Sequence, residues 1–226
     1  MKANLKFAVS FCCLLGTSMY SALAQGFVNL DFEAANVSGY SAGPVPTEDA
    51  IPGWTAYIGT TVQSDINYNT LSLGAPSVAI FSTTATPPAL DGAYSVDLYG
   101  GVAEGGPAGV SISQTGLVPS DAASISFIAQ ASGGATTLLV SLGGQNIAFS
   151  ALSTGANYTL YGGSIPSGLA DQNEQLTFSA PPGENNYWEI DDIQFSASSV
   201  PEPSSFVMLA FGGLLLGLQA RRRGLP

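Results

Sequence analysis

The chain has 226 residues, 46% hydrophobic and 9% charged, with five Lys or Arg, sixteen Asp or Glu and no His. The five bases are Lys2, Lys6, Arg221, Arg222 and Arg223, so residues 25–200 contain no Lys, Arg, His or Cys yet hold every acid except Glu202. Without cations the body cannot neutralise phosphates, which excludes nucleic acid, and without imidazole, thiolate, amine or guanidinium it lacks the usual nucleophilic, phosphoryl-transfer and zinc sites.

In chain order, residues 1–24 read as a secretory signal. Lys2 and Lys6 form the positive start, residues 7–16 are apolar, and Ala22-Leu23-Ala24 is a small-x-small cleavage site. Both cysteines, Cys12 and Cys13, leave with this segment, so the exported body has no disulfide.

Residues 25–197 have the length of one domain. Apolar alternation of period two predicts strands over 27–33, 54–58, 77–82, 93–99, 110–115, 124–131, 137–142, 145–150, 157–161, 175–180 and 187–196. Gly143-Gly144 between two of them signals a two-residue hairpin. Gly, Pro, Asn and Asp fill the intervals, and no helical periodicity precedes residue 206. The pattern predicts an all-β, antiparallel sandwich of the jelly-roll kind. Residues 40–51 and 60–77 are long and polar and read as loops across one end, where binding residues usually sit.

Residues 198–204 form a small-residue and proline linker. It contains Val200-Pro201-Glu202-Pro203-Ser204, and residues 205–226 follow as a short apolar helix ending in Arg221-Arg222-Arg223. The apolar part is shorter than the ~20 residues of a stable span. The arginines would stay cytoplasmic by the positive-inside rule, leaving the body outside the inner membrane. This order of motif, short helix and basic cluster resembles the PEP-CTERM sorting signal of bacteria that make extracellular polysaccharide. The resemblance implies a precursor tethered transiently to the inner membrane, cleavage near the motif by an exosortase, and release to the envelope or matrix.

The body also shows a succession of motifs. Asn29-Leu-Asp-Phe-Glu33 opens it, Ile51-Pro-Gly-Trp-Thr55 and Asp91-Gly-Ala-Tyr-Ser-Val-Asp-Leu98 follow, then Ile112-Ser-Gln-Thr115, and Trp188-Glu-Ile-Asp-Asp-Ile-Gln-Phe195 closes it. This succession resembles the galactose-binding-like jelly roll of many carbohydrate-binding modules. Residues 118–174 depart from it and match only in strand-like spacing. The resemblance implies a structural Ca²⁺ where the first and last strands meet, with Glu33 and Asp191 as ligands and Asp192 and loop carbonyls completing the shell. Independently, Ca²⁺ wants six to eight hard oxygens, and no cation in the body competes for its carboxylates. The other reading of Asp191 and Asp192 is a bulge or turn facing water.

For a sugar, the useful groups are planar aromatics with amides and hydroxyls. Trp54, Tyr57, Asn67, Tyr68 and Tyr99 are the candidates near loops. Tyr68, between two asparagines, is the best exposed of them, whereas Trp54 and Trp188 suit the core because burying Trp is strongly stabilising. Two carboxylates across a cleft can hydrolyse a glycosidic bond. With so many acids in the body, however, some pair at a suitable distance is inevitable and points to nothing. The sequence therefore reads as a non-catalytic matrix protein that associates with polysaccharide. The alternative is an acidic structural or adhesive protein with no defined sugar pocket.

Overall fold

The computed structural model describes residues 25–71, 75–103, 106–132, 137–183 and 186–200. The signal segment with Ala22 and Ala24, and the tail from Pro201 through Arg223, lie outside the described residues. Among the described residues no helix is long and apolar enough to cross a membrane.

The elements in order are β1 (Gly43–Pro46), α1 (Thr47–Ala50), β2 (Thr55–Ile58), β3 (Thr61–Gln63), β4 (Asp65–Tyr68), β5 (Ser77–Ser82), β6 (Tyr94–Ala103), β7 (Gly106–Ala108), β8 (Val110–Leu117), β9 (Ser124–Ser132), β10 (Leu139–Leu142), β11 (Gln145–Asn146), β12 (Phe149–Thr154), β13 (Thr159–Ser164), β14 (Asn173–Ala180) and β15 (Asn186–Ser196). They form two sheets. One runs β1-β4-β5-β6-β15-β9-β13-β12, with β7 paired to β6, and the other runs β11-β10-β14-β8-β2-β3. All pairs are antiparallel except β4 with β5. The chain crosses repeatedly from one sheet to the other, so each sheet is assembled from strands distant in sequence.

The alternation read from the sequence becomes the inner face of this sandwich. Val96, Leu98, Phe127, Trp188 and Ile190 from the larger sheet meet Ala56, Ile112, Val140, Leu176 and Phe178 from the smaller in one core. Phe127 and Phe178 join the sheets edge to face at 5.1 Å, and Trp54 packs on Phe178 at 6.5 Å, geometries that add to simple burial. Gly143 and Gly144 both take positive φ, 57° and 72°, as a two-residue turn of the mirror-image type requires.

Three expectations are corrected. Residues 27–33 are not a strand. Asn29 and Phe32 take φ of 50° and 55°, and only Gly26 bridges to Leu117. The left-handed turn delivers Phe32, fully buried, to the ring of Trp54 at 5.7 Å. Residues 40–51 and 60–77 are not simply loops, since they contain β1, α1, β3 and β4. Their polarity is that of short strands at or next to a sheet edge: β1 and β3 end their sheets and β4 lies beside β1, with Pro44 and Pro46 on β1, where a missing amide is tolerated. Finally, Asp191 does not face water. The alternative reading of a bulge is right in its geometry, because the β15–β9 register shifts between Asp191 and Gln194. The bulge turns Asp192 to φ 47° and leaves Asp191 only 2% exposed.

Candidate functional site

The opening segment is held to β8 by a side chain and to the closing strand by one backbone bond and a ring stack. The Gln114 amide accepts from Val28 N at 2.6 Å and donates to Val28 O at 2.9 Å, standing in for a strand partner. Ile193 N donates to Leu30 O at 2.9 Å, and the rings of Phe27 and Phe195 stack at 5.2 Å. Asn29 holds the turn: its Oδ1 accepts from Ala34 N, its Nδ2 donates to Pro52 O, and its carbonyl accepts from Trp54 Nε1. Gln114 and Asn29 stand within the motifs read from the sequence, which gave neither of them a role. The one available signal for Gln114 was a polar amide at an inward-facing position of a strand.

This framework brings Glu33 and Asp191 to the same loop, the tight turn leading into β6. Glu33 Oε1 accepts from Ala93 N at 2.7 Å and Tyr94 N at 3.0 Å. Asp191 Oδ2 accepts from Asp91 N at 3.2 Å and its Oδ1 from Asp192 N at 2.7 Å. Gly92, at φ 55°, sits between them, and a Cβ there would run into the Glu33 carboxylate. Burial pushes the Asp191 carboxyl up to about 8, against the pull of its two amide donors. Asp192 is turned away, its Oδ1 accepting from Gln194 Nε2 at 2.8 Å. Among the described residues no group of three or more acids is gathered as a metal cluster. Glu33 and Asp191 nonetheless suit a cation in two respects. Both carboxylates are oriented on one loop, and the buried one has no side-chain cation available to it.

A second acidic group lies on the outer face of the larger sheet. Asp97 on β6 and Glu189 on β15 are cross-strand partners and fully buried. Ser95 donates a short hydrogen bond to Glu189 Oε1. Phe81, Tyr99 and Tyr187 form a separate apolar cluster on this face, with Leu71 and Ala85 packed over it. Burial raises the carboxyl of Asp97 well above its ordinary value, with the neighbouring Glu189 adding to the shift, and holds Glu189 up at about 7.

Among the clefts on the described surface, two bear on the sugar candidates. One of about 320 Å³ lies on the smaller sheet, lined by Tyr57, Gly59, Thr60, Ser111, Ser113, Gln175 and Thr177. Tyr57 pairs with Ser111, and Thr177 with Ser113, so alternate residues of β2, β8 and β14 present hydroxyls on one face. Gln175 Nε2 donates to Ser113 Oγ at 3.3 Å, which orients the amide. The lining carries no charge. The other cleft, of about 500 Å³, runs beside α1 between Pro46, Glu48, Trp54 and Gln63.

Of the five sugar candidates, Tyr57 alone lines the Tyr57–Gln175 cleft. Trp54 is 5% exposed with its indole N–H bonded, so it is a core residue that shows only an edge to the other cleft. Tyr99 is 8% exposed and packs on Tyr187. Asn67 lies in β4 between Pro44 of β1 and Ala79 of β5, and Tyr68, the best exposed by sequence, is half-buried against the main core. The five therefore do not converge on one site.

The described body is thus a two-sheet β-sandwich whose polar surface is built from hydroxyls, amides and carboxylates. Residues 199–223 match the PEP-CTERM protein-sorting motif, so this sandwich carries a sorting tail that begins just after its last strand. Two solved structures resemble the body at low identity. One is the enzymatically active domain of bacteriophage CBA120 tailspike protein 4, at 14% identity over 76% of this chain and TM-score 0.43. This chain spans about a fifth of that domain, 21%. The other is TmCBM61, solved with β-1,4-galactotriose, at 15% identity over 76% of this chain and 99% of that one, with TM-score 0.36. No curated protein matches the sequence.

Proposed function

We propose that the protein is exported, cut from its sorting tail by an exosortase at the inner membrane, and held in the envelope or matrix by association with polysaccharide. The observation that carries the sugar reading is the uncharged cleft around Tyr57. A half-buried ring beside fixed hydroxyls and an oriented amide supplies both the stacking surface and the hydrogen bonds that a neutral sugar needs. No pair of carboxylates lines that cleft, so the two-carboxylate route to hydrolysis has no support there, and we assign the protein no catalytic role. Ca²⁺ held through Glu33 and Asp191 would stiffen the turn into β6. Its contribution is to neutralise Asp191 where no side-chain cation can.

The test is retention of the purified protein on a panel of immobilised polysaccharides, in Ca²⁺ and in EDTA. Retention on at least one neutral polymer is expected. Absence of retention on all of them, in both conditions, would leave an acidic structural protein without a sugar pocket as the surviving alternative. Deleting residues 200–226 is expected to change where the protein accumulates, and unchanged localisation would overturn the sorting reading.

A further inference from the structure

The Asp97–Glu189 group takes no part in the Glu33–Asp191 clamp or the Tyr57 cleft. Directly opposed residues on one face of an antiparallel pair have Cβ atoms roughly 5 Å apart, and here both are acids, both fully buried. Neither oxygen of Asp97 makes a well-aligned hydrogen bond, nor does Glu189 Oε2, although the Tyr187 hydroxyl and the Leu98 amide lie close enough to Asp97 to favour its ionised form. One position further along the same face, Ser77 on β5 and Tyr187 on β15 flank Tyr99 from its two sides, and both hydroxyls are buried, that of Tyr187 facing Asp97. Burying a single unpaired carboxylate is strongly unfavourable, and two face to face repel as well. Residues 25–200 contain no Lys, Arg or His to answer them. The two opposed carboxyls, with the Tyr187 hydroxyl beside Asp97 and Ser77 diagonal to it on β5, are thus desolvated without a cation in the larger sheet.

We propose that Asp97 and Glu189 bind one hard divalent cation of the Ca²⁺ type between β6 and β15, with the Ser77 and Tyr187 hydroxyls as neutral oxygens beside it. Two carboxylates and one divalent ion make a neutral group, which is the condition for burying them. Ca²⁺ accepts mixed carboxylate and neutral oxygens in flexible geometry, whereas Mg²⁺ demands a regular octahedron and holds its water, so the site suits Ca²⁺ better. The position is separate from the Glu33–Asp191 clamp, whose bonded oxygens already accept backbone amides. It is likewise independent of any sugar bound at Tyr57.

The experiment is metal content after stripping with EDTA and dialysis against Ca²⁺, with circular dichroism as the check on folding. Asp97→Asn is expected to lose about one equivalent of bound Ca²⁺ relative to the parent. Glu33→Gln is expected to keep that equivalent, which separates this site from the loop clamp. Glu189→Gln should repeat the Asp97→Asn loss and replaces it if that variant does not fold. Should neither fold, Tb³⁺ decides: emission excited through tyrosine is expected in the parent and diminished in Tyr187→Phe. The proposal is overturned if the parent binds no Ca²⁺, if the folded Asp97→Asn or Glu189→Gln protein keeps the parent's Ca²⁺ content, or if Tb³⁺ emission is unchanged in Tyr187→Phe. Loss of Ca²⁺ in Glu33→Gln alone would support the clamp and overturn this second position.

Discussion

Glu33 and Asp191, 158 positions apart in the numbering, grip the same short turn from opposite sides, one through the amides of Ala93 and Tyr94 and the other through the amide of Asp91. The opening segment is thereby tied to the closing strand without becoming a strand itself. The turn between them can be this tight because residue 92 is glycine at φ 55°.

Gly92→Ala tests that grip. A Cβ at positive φ is strained, and here it also meets a carboxylate pinned by two amides. The expected loss is about 1–2 kcal/mol, larger than an ordinary surface substitution. Urea unfolding of the two proteins measures it, and a change within about 0.5 kcal/mol would show that the clamp contributes little.

Tyr57 and Trp54 separate recognition from packing. Tyr57→Ala should weaken retention on a bound polysaccharide about tenfold while changing stability by less than about 1 kcal/mol. Trp54→Ala should cost about 3–5 kcal/mol, because it empties the space between Phe32 and Phe178 and strands the Asn29 carbonyl. Affinity electrophoresis together with thermal melting reads both. Equal destabilisation by the two variants would contradict the assignment of Tyr57 to the surface.

The buried acids set a pH dependence in the metal-free protein. Glu189 and Asp191 are raised by burial to about 7 and about 8, against roughly 4 in an unfolded chain. Between those limits the native state holds more protons than the unfolded state, so stability falls as pH rises. The favourable contribution is complete below about pH 4 and is lost by about pH 8. Melting temperatures in EDTA should therefore decline from pH 5 to pH 8.5 on this account, and saturating Ca²⁺ should flatten the decline. A melting temperature that rises over this range in EDTA would contradict the burial of these carboxylates.

Trypsin provides a check that needs no folded protein. Residues 25–200 contain no Lys or Arg, so even in urea the body should survive as one fragment while any remaining tail is clipped after Arg221, Arg222 or Arg223. Mass spectrometry of the digest shows it, and internal cuts within 25–200 would be inconsistent with the sequence.

Much of the architecture was legible before any coordinates. The strand at 110–115 announces itself by alternation, that at 187–196 by alternation in part and that at 77–82 by a short apolar run, and Gly143-Gly144 marks its own turn, because such patterns and paired positive φ are local properties. The opening residues misled for the same reason. Asn29-Leu-Asp-Phe-Glu33 alternates like a strand, but Asn29 and Phe32 turn left-handed to meet Trp54 and Pro52, a demand made by distant residues. The short strands β1, at the sheet edge, and β4, beside it, were illegible because each is defined by its partners rather than by its own composition. The aromatic candidates scatter for a related reason: Tyr99 and Tyr68 have the same polar tip as Tyr57, and only the packing decides which ring lines a cleft.

By itself the sequence determined the chemistry open to this protein: a cation-free acidic body, a sorting tail at 199–223, and no means of neutralising its own carboxylates. Those follow from residue identity and need no geometry. Tertiary structure alone decided where the acids stand. Register across β6 and β15 sets Asp97 against Glu189, and a bulge after Asp191 buries that side chain while turning its neighbour outward. Burial then gives the same carboxyl group a different pKa and a different need for a partner, because desolvation depends on surroundings that no stretch of sequence specifies alone.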